Sequence, residues 1–164
     1  LLDTNALFWA IEAPDRLEPT TRRKLDAPET TIYATLASAQ EMAMKLCAGK
    51  WPEAVGLLTH FEAAVERANF NLLSPVAADY LNMTRLPDVA GHRDPMDRLI
   101  IAMAMARDLV LVSSDANAVN YAVAWLPAGD GMARTGARGK GRIMPVAPLT
   151  PIAVAADGAL GEDR

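Results

Sequence analysis

The stretch "DPMDRLIIAMAMARDLVLVSSD", residues 94–115, carries a nearly unbroken apolar helix straight into a continuous apolar strand. Asp94 and Pro95 read as the helix start, an aspartate at the N-cap and a proline in the first turn, where its missing N–H costs nothing. The strand "LVLVSS" has no polar face, which suits a parallel sheet covered on both sides. A second aspartate, Asp97, sits one turn into the helix, and a third, Asp115, closes the strand. Capping accounts for one acid at such a junction but leaves the others to be explained.

Outward from this unit, residues 1–126 alternate short strands with helices. "LLD" is an apolar strand end, followed by a helix from about Asn5 to Ala13, and "TTRRKLDA" is a second, polar helical piece. "TTIYATLAS" has the β-branched and aromatic bias of a strand. In "SAQEMAMKLCAG", Ala39, Met42, Ala43, Leu46 and Cys47 recur at helical spacing, and Gly49 supplies the stop. "PEAVGLLTHFEAAVERA" reads as one helix opened by Pro52, "FNLLS" as a brief strand, and Ser74-Pro75 as the cap and first turn of "PVAADYLNMTRL". Strands alternating with helices imply an α/β layered domain, in which ligands collect outside the carboxyl ends of the strands.

From Pro127 the composition shifts: residues 127–164 hold most of the glycines, several prolines and no aromatic residue. This segment is expected to be a flexible extension, its "ARGKGR" cluster solvated rather than set against a phosphate backbone. The chain starts at Leu1 rather than a methionine, so the first strand is expected to be incomplete.

Length and composition narrow the chemistry. With 164 residues, 51% of them hydrophobic and 22% charged, the chain can bury a core without staples. A lone cysteine, Cys47, excludes an internal disulfide and a multi-cysteine zinc site, and with only His60 and His92 besides, soft-ligand metal chemistry is disfavoured. No signal peptide or membrane span is visible, so a reducing cytoplasm is the expected compartment. The net charge of −4 argues against broad attraction to nucleic acid, although cations held in an acidic site would reverse the local sign.

The acidic residues have a pattern. Asp3 ends the first strand, Glu41 lies in the early turns of a helix, Asp97 opens another, and Asp115 follows "LVLVSS". Parallel neighbours would bring these positions to one sheet edge, forming a hard-oxygen site suited to Mg²⁺ or Mn²⁺. Each residue also has a purely structural reading: Asp94 as N-cap, Asp97 as dipole partner or capping-box member, Asp115 as turn former, Glu41 as partner of Lys45. Asp3 is the hardest to dismiss, because a carboxylate after a buried strand is costly without a partner.

"LLDTNALFW", "SAQEMAMKLCAGK", "HRDPMDRLIIAMAMA" and "LVLVSSDANAVNY", in that order and spacing, resemble a PIN domain over residues 1 to about 126. The "HRDPxDRLxIAxA" pattern resembles more narrowly the VapC-type toxins of bacterial type II toxin–antitoxin pairs. The resemblance implies a three-layer α/β domain with a central parallel sheet flanked by helices, and a Mg²⁺- or Mn²⁺-dependent ribonuclease. By position it places the catalytic and metal-binding carboxylates on Asp3, Glu41, Asp97 and Asp115, with Thr4, Ser114 and Asp94 in support and Asn5 at a variable place. Lys45 or Arg98 is expected to contact RNA phosphate or to screen the carboxylates. The implied partners are RNA, a VapB-like antitoxin and a second copy of the chain. A catalytically weak PIN-fold binding module remains open, as does a haloacid-dehalogenase-like phosphatase. The phosphatase chemistry wants an acid where Asn5 stands.

Overall fold

Side chains alternate across a strand, and here that alternation sorts the apolar residues into two separate clusters. The computed structural model describes residues 1–89 and 91–129. Leu2, Ala34 and Val112 belong to one cluster with Leu7, Met42, Leu57 and Phe61. Their chain neighbours Leu1 and Leu111 belong to the other, with Leu99, Ile100, Met103 and Tyr121. The two clusters therefore lie on opposite faces of one sheet, which is the three-layer α/β arrangement expected from the sequence.

The sheet is built from very short strands: β1 (Tyr33–Thr35), β2 (Asn71–Leu73), β3 (Leu111–Ser113) and β4 (Trp125–Pro127). β1 pairs with β2 and β3 with β4, both in parallel. Residues 1–3 join the two pairs. Leu2 N–H donates to the Tyr33 carbonyl, Val112 N–H to that of Leu1, and Asp3 N–H to that of Val112, each at 2.9 Å. The order across the sheet is thus β2, β1, residues 1–3, β3, β4, with the chain's first residues at its centre.

Residues 1–3 and β1 each hand over at once to a helix, because a polar side chain caps it. Asp3 caps α1 (Thr4–Glu12) and Thr35 caps α3 (Leu36–Cys47), so the strand read in "TTIYATLAS" ends at Thr35. Asp94 caps α7 (Pro95–Ala106) by accepting from Met96 N–H at 2.8 Å. Leu99, Ile100 and Met103 on α7 are fully buried, each contributing about 1.5–3 kcal/mol of apolar burial. Asp108, at φ 52°, turns the chain out of α7 and into β3.

Two helices depart from the sequence reading. "PEAVGLLTHFEAAVERA" is not continuous: a 3₁₀ turn at Pro52–Ala54 leads into α4 (Val55–Thr59), and α5 (Phe61–Arg67) follows after a break at His60. The Thr59 hydroxyl donates back to the Val55 carbonyl at 2.7 Å, a local bond that competes with the helix ladder, and Gly56 weakens it further. The helix expected from Ser74-Pro75 begins later, as α6 (Ala77–Thr84) capped at Val76. Asp79 sets that start by accepting from Val76 N–H at 2.9 Å.

The same Asp79 carboxylate takes both arms of Arg107, at 2.7 and 2.8 Å, clamping α6 to the end of α7. Burial alone would raise its carboxyl, but the Arg107 guanidinium and Val76 N–H outweigh this and hold it below the usual range.

The small helix α2 (Pro19–Leu25) closes one side. The boundary expected after residue 126 falls inside β4. Thr21 Oγ1 donates to the Pro127 carbonyl at 2.7 Å. Glu18 N–H donates to the Ala128 carbonyl at 2.7 Å, and Ala128 N–H to that of Ser113 at 2.9 Å. Gly129 sits where an added Cβ would meet the Arg16 carbonyl oxygen at 2.6 Å. Residues 130–164, and with them the expected flexible extension and its basic cluster, lie outside the described residues. Among the described residues, no helix is long and apolar enough to cross a membrane.

Candidate active site

Asp3 and Asp115 come from the ends of strands, Asp97 from the first turn of α7 and Glu41 from within α3. Asp3 stands between residues 1–2 of the sheet and α1. Its Oδ1 accepts from Ala6 N–H at 2.6 Å and its Oδ2 from Ser114 N–H at 3.2 Å. Only 8% exposed, its carboxyl is pushed upward by burial. Hydrogen bonds from Ser113, Ala6 and Ser114 oppose that push, and the charge of Glu41 adds to it. Glu41, also buried, lies on α3 and receives the Thr4 hydroxyl on Oε2. One turn further along, Lys45 Nζ stands 2.5 Å from Glu41 Oε1 and 5.0 Å from the centre of the Trp51 ring. This half of the site is thus supplied with donors by its own neighbours.

In the other half only Asp115 receives donors among the described residues, both from Asn117. Asp97 lies in the first turn of α7. Asp115 follows β3 and caps the 3₁₀ turn Ala116–Asn120, accepting from Asn117 N–H at 2.9 Å. Between the two carboxylates sits His92, 4% exposed. Its Nε2 is 2.9 Å from Asp115 Oδ2 and 3.5 Å from Asp97 Oδ2, yet it is aligned for a hydrogen bond with neither. Its Nδ1 lies 2.7 Å from the Tyr121 hydroxyl. Burial, then the charges of Asp94, Glu41, Asp115 and Asp3, push the Asp97 carboxyl up to about 7. Asp97 is therefore the point on which the fields of the other acids converge.

All four carboxylates expected from the sequence meet at this carboxyl edge of the sheet. Thr4 and Ser114 touch them directly, and Asn5 Nδ2 donates to Ser114 Oγ at 3.3 Å. Asp94 is occupied as a cap. Arg98 is directed elsewhere: its guanidinium donates to the carbonyls of Pro87 (3.0 Å), Leu86 (3.1 Å) and Met83 (3.5 Å) and to the Tyr121 hydroxyl (3.2 Å). That side chain ties α7 to the segment after α6 and faces protein carbonyls.

Hard oxygen donors around an underneutralised carboxylate fit a divalent cation, which would return Asp97 to its charged form. One ligand atom each from His92, Asp97 and Asp115 lies within 4.8 Å of the others. Depressions of about 370 and 320 Å³ occur at the opposite edge, around Ile32, Asn69 and Phe70, and share no residue with the acidic cluster.

A family model described as the PIN domain matches residues 1–124. The chain belongs to the PIN domain family. PIN domains are generally nucleases, typically dependent on metal ions, and the matched span covers every acidic residue of the site. Neither the curated proteins nor the solved structures gave a match. In this PIN domain, sequence reasoning missed His92, Ser113 and Tyr121. The histidine stands in "HRDPxDRLxIAxA", but two histidines and one cysteine point away from a soft-ligand site. Its partner Tyr121 lies 29 residues away, and no local pattern connects the two.

Proposed function

We propose that this PIN domain is a divalent-metal-dependent endoribonuclease, the toxin of a VapBC-like pair, cleaving phosphodiester bonds in RNA with Mg²⁺ or Mn²⁺. The observation that carries the reading is the convergence of Asp3, Glu41, Asp97 and Asp115 on one edge, with Asp97 pushed up to about 7. An isolated protein gains nothing from holding a carboxylate that resists ionisation; such sites are characteristic of function.

A bound divalent ion would activate water and stabilise charge developing on phosphate. Asp97 and Asp115 would hold it from α7 and from the end of β3. Asp3 is fixed by three donors, so its remaining lone pairs are aimed without further reorganisation. Glu41, anchored by Thr4 and Lys45, adds negative field from α3. Lys45 pairs with Glu41, and its ammonium would meet an RNA phosphate if a bound metal drew Glu41 away. The partners that fit this reading are RNA, a VapB-like antitoxin that blocks the acidic edge, and a second copy of the chain, acting in the cytoplasm. Their basis is the "HRDPxDRLxIAxA" resemblance.

Purified protein should cleave RNA with Mg²⁺ or Mn²⁺ and lose all cleavage in EDTA, and Asp97→Asn should be inactive with its fold retained by circular dichroism. Cleavage that persists in EDTA, or full activity in Asp97→Asn, would sink the nuclease assignment. RNA binding without cleavage under any metal would point to a PIN-fold binding module. For the toxin role, expression should arrest bacterial growth, and a short DNA-binding protein encoded immediately upstream should relieve it.

A further inference from the structure

The geometry points to His92 as a direct metal ligand through Nε2, sharing one cation with Asp97 and Asp115 and making the site selective for Mn²⁺ or a later first-row ion over Mg²⁺. The inference rests on the reading of this acidic edge as a metal centre, and adds a nitrogen donor to it.

The first support is an unmet valence. His92 is 4% exposed, and its Nε2 has no aligned hydrogen-bond partner although it is aimed into a cluster of carboxylates. A buried polar atom left without an aligned partner is destabilising. A cation between imidazole and carboxylates would satisfy all of them at once.

The second support is the outer partner. Nδ1 shares a hydrogen bond with the Tyr121 hydroxyl oxygen at 2.7 Å. That oxygen also accepts from Arg98 Nη1 at 3.2 Å, and Arg98 is held by backbone carbonyls. The chain Arg98, Tyr121, His92 fixes the ring with Nε2 facing the acids. A metal-ligating histidine characteristically has its other nitrogen fixed by such an outer partner. Tyr121 is buried and packs edge-on to the His92 ring at 5.4 Å between centroids, so the orientation is set by packing as well.

The third support is spacing. Ligand atoms bound at about 2.1 Å to a common ion stand roughly 3.0–3.4 Å apart. Nε2 lies 2.9 Å from Asp115 Oδ2 and 3.5 Å from Asp97 Oδ2, both near that spacing, and the three ligand atoms all lie within 4.8 Å of one another. Carboxylates alone suit Mg²⁺, Ca²⁺ and Mn²⁺, whereas an imidazole nitrogen favours the transition ions in the Irving–Williams order. Asp3 and Glu41 supply no nitrogen, so this preference depends on His92.

The test reads the bond rather than the activity. The sequence contains two histidines, His60 and His92. His60 is exposed at the break between α4 and α5 and serves as the control. Mn²⁺ is added to the full-length protein, and pulsed paramagnetic resonance is recorded for directly coupled nitrogen, with and without heavy-isotope labelling of histidine. The expected result is an isotope-sensitive imidazole coupling in the wild type and in His60→Asn that is lost in His92→Asn. His92→Asn should also bind Mn²⁺ about tenfold or more weakly by calorimetry, with a smaller loss for Mg²⁺. Bound Mn²⁺ with no nitrogen coupling in the wild type overturns the ligand assignment and leaves the oxygen-only metal site standing. No Mn²⁺ binding in the wild type overturns both. The wild-type spectrum decides even if His92→Asn fails to fold.

Discussion

The two halves of the acidic edge carry the same chemistry in opposite states. Around Asp3 and Glu41, every carboxylate oxygen has a donor: Ala6 and Ser114 N–H, the Thr4 hydroxyl and the Lys45 ammonium. Around Asp97 and Asp115, the structure brings together two further acids and a histidine whose Nε2 bonds to neither. Glu41 with Lys45 is a completed ion pair, Asp3 is pushed upward by burial despite its donors, and Asp97 has no donor among the described residues. The difference follows from partners: burial raises both Asp3 and Asp97, hydrogen bonds from Ser113, Ala6 and Ser114 oppose the rise at Asp3, and no described residue opposes it at Asp97.

The largest expected effect tests that contrast at Asp97. Its folded value of about 7 stands above the roughly 3.9 of an unfolded aspartate. The unfolded chain therefore ionises first, and metal-free stability contributed by this residue falls as pH rises from about 4 to about 7, then levels off. The side chain is 32% exposed, so after solvent screening the loss should amount to about 1–2 kcal/mol rather than the full value of the shift. Asp97→Asn should abolish cleavage and yet melt higher than the parent above pH 7 without metal, with the difference vanishing near pH 4. Equal melting curves at both ends of that range would break the comparison.

Next in size is the response to metal. Mn²⁺ at about 100 times its dissociation constant should stabilise the folded state by about 2.7 kcal/mol, measured as a rise in melting temperature. The rise should be larger at pH 8 than at pH 5, where protons compete at Asp97. A rise of equal size in Asp97→Asn would place the ion elsewhere.

Thr4→Val probes the completed half. It removes the hydroxyl that donates to buried Glu41, and should cost about 1–3 kcal/mol in denaturant unfolding, with a fall in cleavage well short of that in Asp97→Asn. Inactivity equal to Asp97→Asn would show that the first half is as exacting as the second.

The smallest effect on cleavage belongs to Arg98→Lys. Losing the planar fork that spans Pro87, Leu86 and Tyr121 should lower stability by about 1–2 kcal/mol. The salt dependence of RNA binding should stay unchanged, because no phosphate contact is lost. A reduced salt slope would return Arg98 to the RNA.

Residue order alone was enough for the layered α/β fold, because the unbroken apolar "LVLVSS" and the alternation of strand with helix leave little else that buries both sheet faces. It was also enough to nominate the four carboxylates, since each occupies the hand-over from a strand or the opening of a helix, the positions a parallel sheet gathers at one edge. Local chemistry misled at His60, where Thr59 bonds back to Val55, and at Ser74-Pro75, where Asp79 takes over the cap. What only the tertiary structure decided are the pairings across long separations. Asp79 meets Arg107, His92 meets Tyr121 and Asp115, and Arg98 turns to the carbonyls after α6. A periodicity records which face of an element is buried, but not which side chain of another element waits there. That information exists only once the layers close, and it separates the carboxylates given donors by their neighbours from Asp97, which has none among the described residues.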